Sequence, residues 1–227
     1  MADRIGVDWK AWVAWVIASV VGVDIVAMII YSSILGADAM EIRGAVKEML
    51  VVHGAIILAG LFYGGLQWLW WRKRIVGAKW WIAATVVGWY LGLGTLGLLS
   101  LAGVDPEVLT GWRRVAGVII FYGAIGGAAS LPQWLVVRRQ FSQSEYWLLA
   151  RPLGWLAGAG LMAGAEDLNL VGFDWLFGSN QILHWNVPGL VALCALFGLF
   201  GIGLGTVSGA AVIWMCRHPK EVMIGKS

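Results

Sequence analysis

Six stretches of this chain run for 20 residues or more with at most one charged side chain each. They are 11–35, 50–71, 80–102, 115–137, 146–165 and 187–215. Crossing the hydrocarbon core of a bilayer as a helix takes about 20 apolar residues, and each stretch is long enough. None shows the apolar/polar alternation of a membrane-barrel strand. Only 13% of residues are charged and 60% are hydrophobic, against roughly 25% charged in soluble domains. Too few charges remain to wet a soluble surface, and the chain is too apolar to be disordered. The expectation is an all-α polytopic membrane protein, one membrane domain over 1–227 with six transmembrane helices.

Lysine and arginine set the direction of the spans. One set of ends carries Arg4, Lys10, Arg72, Lys73, Arg74, Lys79, Arg138, Arg139, Arg217, Lys220 and Lys226. The other carries only Arg43, Lys47, Arg113 and Arg114, among most of the acids. This places both termini in the cytoplasm. The modest net charge of +3 therefore hides a polarised molecule. Its basic face suits anionic headgroups of the lipid bilayer, and a nucleic-acid partner is not expected. The N-terminus has no cleavable signal pattern. Cys194 and Cys216 lie 22 residues apart, roughly 33 Å along a helix, and are expected as free thiols. Many of the 16 tryptophans, Trp15, Trp71, Trp81 and Trp147 among them, fall near span ends, where an interfacial belt is expected.

The chain is internally duplicated, with 67–94 matching 133–160 at a constant offset and no gap. Gln67-Trp68-Leu69 corresponds to Gln133-Trp134-Leu135, Arg72-Lys73 to Arg138-Arg139, Trp80-Trp81 to Tyr146-Trp147, and Gly88-Trp89 to Gly154-Trp155. Each copy is a hairpin of two spans, so the copies share one orientation: a tandem, parallel repeat. Span six resembles a further half unit, with Gly205–Ser208 in a place like Gly64–Gln67 and Trp214–His218 in one like Trp70–Arg74. Small residues recur at the spacing of a helix contact stripe. Gly201, Gly205 and Gly209 form one, and Gly88 and Gly154 head others. Such stripes serve internal packing or docking onto a partner's helices.

Few residues suggest chemistry. Asp24 is a carboxylate near the middle of the first span, and an intramembrane acid is by default a functional candidate. It is expected either protonated or paired with Arg151 of the fifth span. His53 and His184 fall at similar depth on the outer side, where imidazole could ligate haem iron or a chlorophyll magnesium. Gln67 and Gln133 are candidate contacts to a ligand, pigment or neighbouring helix. The loop 172–186 mixes polar and aromatic residues and is the candidate outer recognition segment. No nucleophile, phosphate-loop or metal-site motif is present, so an enzyme is not expected.

The pattern Gln-Trp-Leu-x-x-Arg-Arg, then Trp-Trp, then Gly-Trp, carried by 67–73, 133–139 and the two Gly-Trp pairs, resembles Trp-rich multi-pass membrane proteins of cyanobacteria and filamentous phototrophs. That resemblance implies a bacterial inner or thylakoid membrane and a photosynthetic setting, with no reaction attached. Six spans, cytoplasmic ends, Trp richness and Ala14-xxx-Ala18 are also similar to the S component of energy-coupling-factor transporters. Two functional expectations follow. One is a non-catalytic accessory subunit packing against other membrane subunits or further copies of itself. The alternative is a small-molecule binding or transport protein using Asp24, Arg151 and the outer side.

Overall fold

The computed structural model describes residues 9–39, 45–104, 111–167 and 187–220. They form six helices: α1 (Trp9–Ala39), α2 (Ala45–Trp71), α3 (Trp80–Leu101), α4 (Gly111–Val137), α5 (Tyr146–Asp167) and α6 (Val187–Cys216). Most run a few residues beyond the expected spans, because a helix keeps its backbone groups bonded past the last apolar side chain. Five are long and apolar enough to cross a membrane, over Trp9–Ile29, Met49–Trp71, Trp80–Leu101, Val115–Val137 and Leu193–Cys216. The exception is α5, which contains Arg151 and ends on Glu166 and Asp167. The architecture is that of a helical, multi-pass membrane protein. The loop 172–186 lies outside the described residues.

Each helix packs against its neighbours in the chain, and α1 packs against α6, so the six helices close into a ring. No other pair of helices approaches backbone to backbone among the described residues. In lipid there is no hydrophobic drive to bring helices together, so contact relies on close fit. Glycines provide it at each junction between successive hairpins. A Cβ on Gly88 would collide with the carbonyl oxygen of Ala129 on α4, and one on Gly22 with the Tyr63 ring on α2. A Cβ on Gly154 would sit 3.0 Å from Leu204 Cδ1 on α6. Within hairpins the same device appears at Gly60, 3.0 Å from Val86 Cα, and at Gly126, 3.0 Å from Pro152 Cα. The stripe Gly201, Gly205 and Gly209 faces α1, meeting Val20, Ser19 and Trp15.

Two large core clusters fill the ring, with a small third around Leu193 and Leu196. The larger lies at the basic end around Trp15, Trp71, Trp81, Trp147, Val212 and Met215. The other, around Tyr63, Val26, Phe200 and Leu204, occupies the opposite half. The expected interfacial belt thus gives way for four tryptophans. Trp71, Trp81 and Trp147 have no exposed surface and Trp15 has 1%. Trp80, Trp112 and Trp214 remain exposed, as a belt requires. Both cysteines are free.

The basic end is tied across elements. The Val76 amide donates to Gln140 Oε1 at 2.8 Å, and Gln140 Nε2 donates to the Val76 carbonyl at 2.9 Å, joining the α2–α3 turn to the α4–α5 turn. The chain after α6 joins them: the Ser142 amide donates to the His218 carbonyl at 3.0 Å, and the Lys220 amide to the Gln140 carbonyl at 2.9 Å. Gly77, at φ +74°, takes the left-handed conformation that lets the α2–α3 turn reverse in so few residues.

Candidate functional site

Three buried indoles meet at the basic end of the ring. Trp15, Trp81 and Trp147 come from α1, α3 and α5 and sit at centroid separations of 6.5, 5.3 and 6.1 Å. They stand edge to face, the arrangement that aromatic quadrupoles favour. Trp15 precedes Trp81 by the same number of residues as Trp81 precedes Trp147. The offset that relates α2–α3 to α4–α5 therefore extends to α1. Ser19, Thr85 and Arg151 follow it, as do Gly22, Gly88 and Gly154.

The even helices answer in kind. Trp81 Nε1 donates to Gln67 Oε1 on α2 at 3.0 Å. Trp15 Nε1 donates to Ser208 Oγ on α6 at 3.0 Å. Ser208 thus stands where Gln67 stands, although the longer α5–α6 connection shifts its numbering. The third pair breaks the pattern: Gln133 turns away and its Nε2 donates to Thr85 Oγ1 at 2.9 Å. Trp147 Nε1 and Gln133 Oε1 are left without hydrogen-bond partners.

One helical turn from the tryptophans lies a polar layer: Ser19 at 0% exposure, Thr85 at 2% and Arg151 at 3%. Thr85 is satisfied, donating to its own Trp81 carbonyl at 2.8 Å. Arg151 Nη1 donates to Tyr63 Oη at 3.2 Å, and its guanidinium lies 5.8 Å from the Tyr63 ring centre and 5.7 Å from that of Trp147. Arg151 Nε, Ser19 Oγ and Gln67 Nε2 have no partner. No carboxylate is within ion-pair distance of Arg151 among the described residues. A buried charge is ordinarily paired, since its isolation from water costs several kcal/mol (about that order). Among the described residues, aromatic faces and one phenol hydroxyl stand beside it.

The other candidates fall elsewhere. The suggested Asp24–Arg151 pair does not form. Asp24 is half-buried and points at α6, each carboxylate oxygen 3.8 Å from where a Gly198 Cβ would lie, and its Oδ1 has no partner. Asp24 is more than one turn beyond Ser19 on α1, while Arg151 reaches across to α2. His53 is exposed on α2, its Nδ1 2.7 Å from the Met49 carbonyl and its ring 5.6 Å from Tyr90. His184 lies outside the described residues, so the structure does not set it beside His53. No cluster of three His, Cys, Asp or Glu side chains occurs among the described residues. Gly88, Gly154, Gly201, Gly205 and Gly209 all lie at helix contacts within the ring.

One cavity adjoins the polar layer. It measures about 170 Å³ and is lined by Trp89, Gly92, Phe121, Ile125, Ala129 and Trp155, with other apolar neighbours. Its walls stand on the same helices one turn farther along. Trp89 follows Thr85 on α3, Ala129 precedes Gln133 on α4, and Trp155 follows Arg151 on α5. Trp89 and Trp155 are 6.2 Å apart, and Trp89 is 6.4 Å from Tyr63, the hydrogen-bond partner of Arg151.

Reading single residues missed this assembly. The sequence offers Gln67, Gln133 and Arg151 as separate candidates, whereas Ser19 and Thr85 gain meaning only by converging with them. The signal was present: Trp15, Ser19 and Gly22 sit one repeat before Trp81, Thr85 and Gly88. No family model, curated protein or solved structure matches this chain.

Proposed function

We propose that this chain is a six-span membrane protein built from three copies of one hairpin, α2–α3, α4–α5 and α6–α1, and that it binds a small anionic molecule at the ring's centre through Arg151. The observation that carries this is a guanidinium 3% exposed with a phenol hydroxyl and no carboxylate beside it. Arginine has five donors in a planar fork suited to carboxylate and phosphate, and Arg151 has an unused Nε. Intramembrane charge of this kind marks substrate sites.

The accessory-subunit reading rested on glycine stripes free to dock a partner. Gly201, Gly205 and Gly209 are occupied by α1 inside the same chain. That moves the balance to the binding reading, with no catalytic step attached. The cluster of Arg72, Arg74, Arg138, Arg139 and Arg217 at one end supports a cytoplasmic placement of that end in a bacterial membrane.

The test is thermal unfolding of the purified protein in lipid nanodiscs with acetate and with inorganic phosphate. A ligand that binds the folded state raises the midpoint by mass action. Wild-type protein is expected to gain at least 2 °C (roughly) with a saturating anion, and Arg151→Gln to show no gain. Equal gains in both proteins would remove Arg151 from any binding role.

A further inference from the structure

We infer that the anion this site takes carries a single ring-sized apolar body: an arylalkanoate or aryl phosphate, rather than a bare inorganic ion. The inference rests on the proposed anion site at Arg151 and specifies its ligand.

Two features lie one helical turn apart on the same three helices. The first is the polar layer of Thr85, Gln133 and Arg151, where the Arg151 guanidinium keeps an unpartnered Nε and Tyr63 of α2 adds its hydroxyl. The second is the 170 Å³ cavity with Trp89, Trp155 and Phe121 in its wall. A dry apolar cavity of about 150 Å³ holds one benzene ring. A single ring fills this volume, whereas a long lipid chain or a tetrapyrrole would extend beyond it. One helical turn is about 5.4 Å, the length of a two- or three-carbon spacer between an acid group and a ring. Aromatic walls favour an aromatic guest through edge-to-face contacts. The asymmetry of the ring agrees. The α1 counterpart of Trp89 and Trp155 is Val23, and the α1 counterpart of Arg151 is Ser19. Among these three repeat-related positions, only α5 carries both the buried charge and a cavity indole.

The probes are 3-phenylpropanoate, its neutral alcohol 3-phenylpropanol, acetate and inorganic phosphate. Binding is read by calorimetry in nanodiscs, and unfolding midpoints give a second readout. 3-Phenylpropanoate is expected to bind at least tenfold tighter than each of the other three. Arg151→Gln loses that preference for acid over alcohol, and Arg151→Lys keeps part of it. Leu96→Phe, which adds bulk at the cavity wall, weakens 3-phenylpropanoate at least tenfold and leaves acetate unchanged. Size-exclusion profiles and near-UV circular dichroism identify any variant that fails to fold, and Arg151→Lys then decides the role of the charge.

Acid and alcohol binding alike would overturn the inference, since the cavity would then act without the charge. Acetate and phosphate matching 3-phenylpropanoate would overturn it too, while leaving the anion site standing. No response to any anion, in wild type and Arg151→Gln equally, would overturn both.

Discussion

The hairpins α2–α3 and α4–α5 carry one repeat, identical at positions such as Gln67/Gln133, Trp81/Trp147 and Gly88/Gly154, yet they end in different chemical states. In the first, Gln67 accepts the Trp81 indole hydrogen bond and Thr85 closes on its own helix. In the second, Gln133 has left Trp147 for Thr85, and Arg151 replaces the threonine. The first hairpin leaves Gln67 Nε2 and the indole N–H groups of Trp70 and Trp71 unpartnered; the second leaves Gln133 Oε1, Ser144 Oγ, Arg151 Nε and the indole N–H groups of Trp134, Trp147 and Trp155. A duplicated unit built for stability alone has no reason to exchange threonine for arginine in the buried layer. Under the proposed reading, the second hairpin is the one that carries the anion site.

Four sets of substitutions test this contrast. The largest effect is expected at the paired glycines. Gly88→Ala forces a methyl onto the Ala129 carbonyl oxygen, whereas Gly154→Ala meets Leu204 less closely, its Cδ1 at 3.0 Å and its carbonyl oxygen at 3.1 Å. Overpacking of this kind costs about 1–3 kcal/mol, and Gly88→Ala belongs at the upper end with Gly154→Ala below it. Unfolding midpoints in one detergent rank the two; a reversed order would mean that α3–α4 yields more easily than α5–α6.

The indoles come next. Trp81→Phe strands Gln67 Oε1 in the buried layer, at a cost of about 1–3 kcal/mol beyond lost packing. Trp147→Phe removes an N–H that has no partner and is expected to cost only the packing difference. Comparable losses at both positions would show that Gln133 serves Trp147 after all.

Arg151→Thr makes the second hairpin copy the first. Removing an uncompensated buried charge is expected to raise stability by about 1 kcal/mol or more in the absence of ligand, while anion-dependent stabilisation disappears. A destabilised variant would identify Arg151 as a structural residue. The smallest effect belongs to the outer ends of the hairpins. Arg72 lies 5.6 Å from the Trp68 ring centre and Arg138 5.1 Å from that of Trp134. Replacing either by glutamine should cost roughly 0.5–1 kcal/mol, equally in both copies.

How far the sequence foretold this depends on the kind of signal. The helices were legible because lipid permits few alternatives to them. The hairpin repeat was legible because Gln67–Trp89 aligns with 133–155 without a gap. The third copy was obscured because it is split between α6 and α1, and its α6 half is displaced by the long α5–α6 connection. The tryptophans misled because position along a helix does not tell which face an indole takes. Trp80 and Trp81 are adjacent, one 63% exposed and the other fully buried. Asp24 and Arg151 invited pairing as opposite charges, but the ring sets Asp24 against α6 and Arg151 against α2.

The seam between α1 and α6 bears on how the protein is made. Trp15 and its acceptor Ser208 are separated by 193 residues of chain. During synthesis α1 enters the bilayer long before the helix that completes its hydrogen bonds exists. Until then Ser19 and the Trp15 N–H belong to a helix with one open flank, and the ring is an arc. Closure waits for α6, and a product that ends before α6 leaves the Trp15 N–H without its Ser208 acceptor.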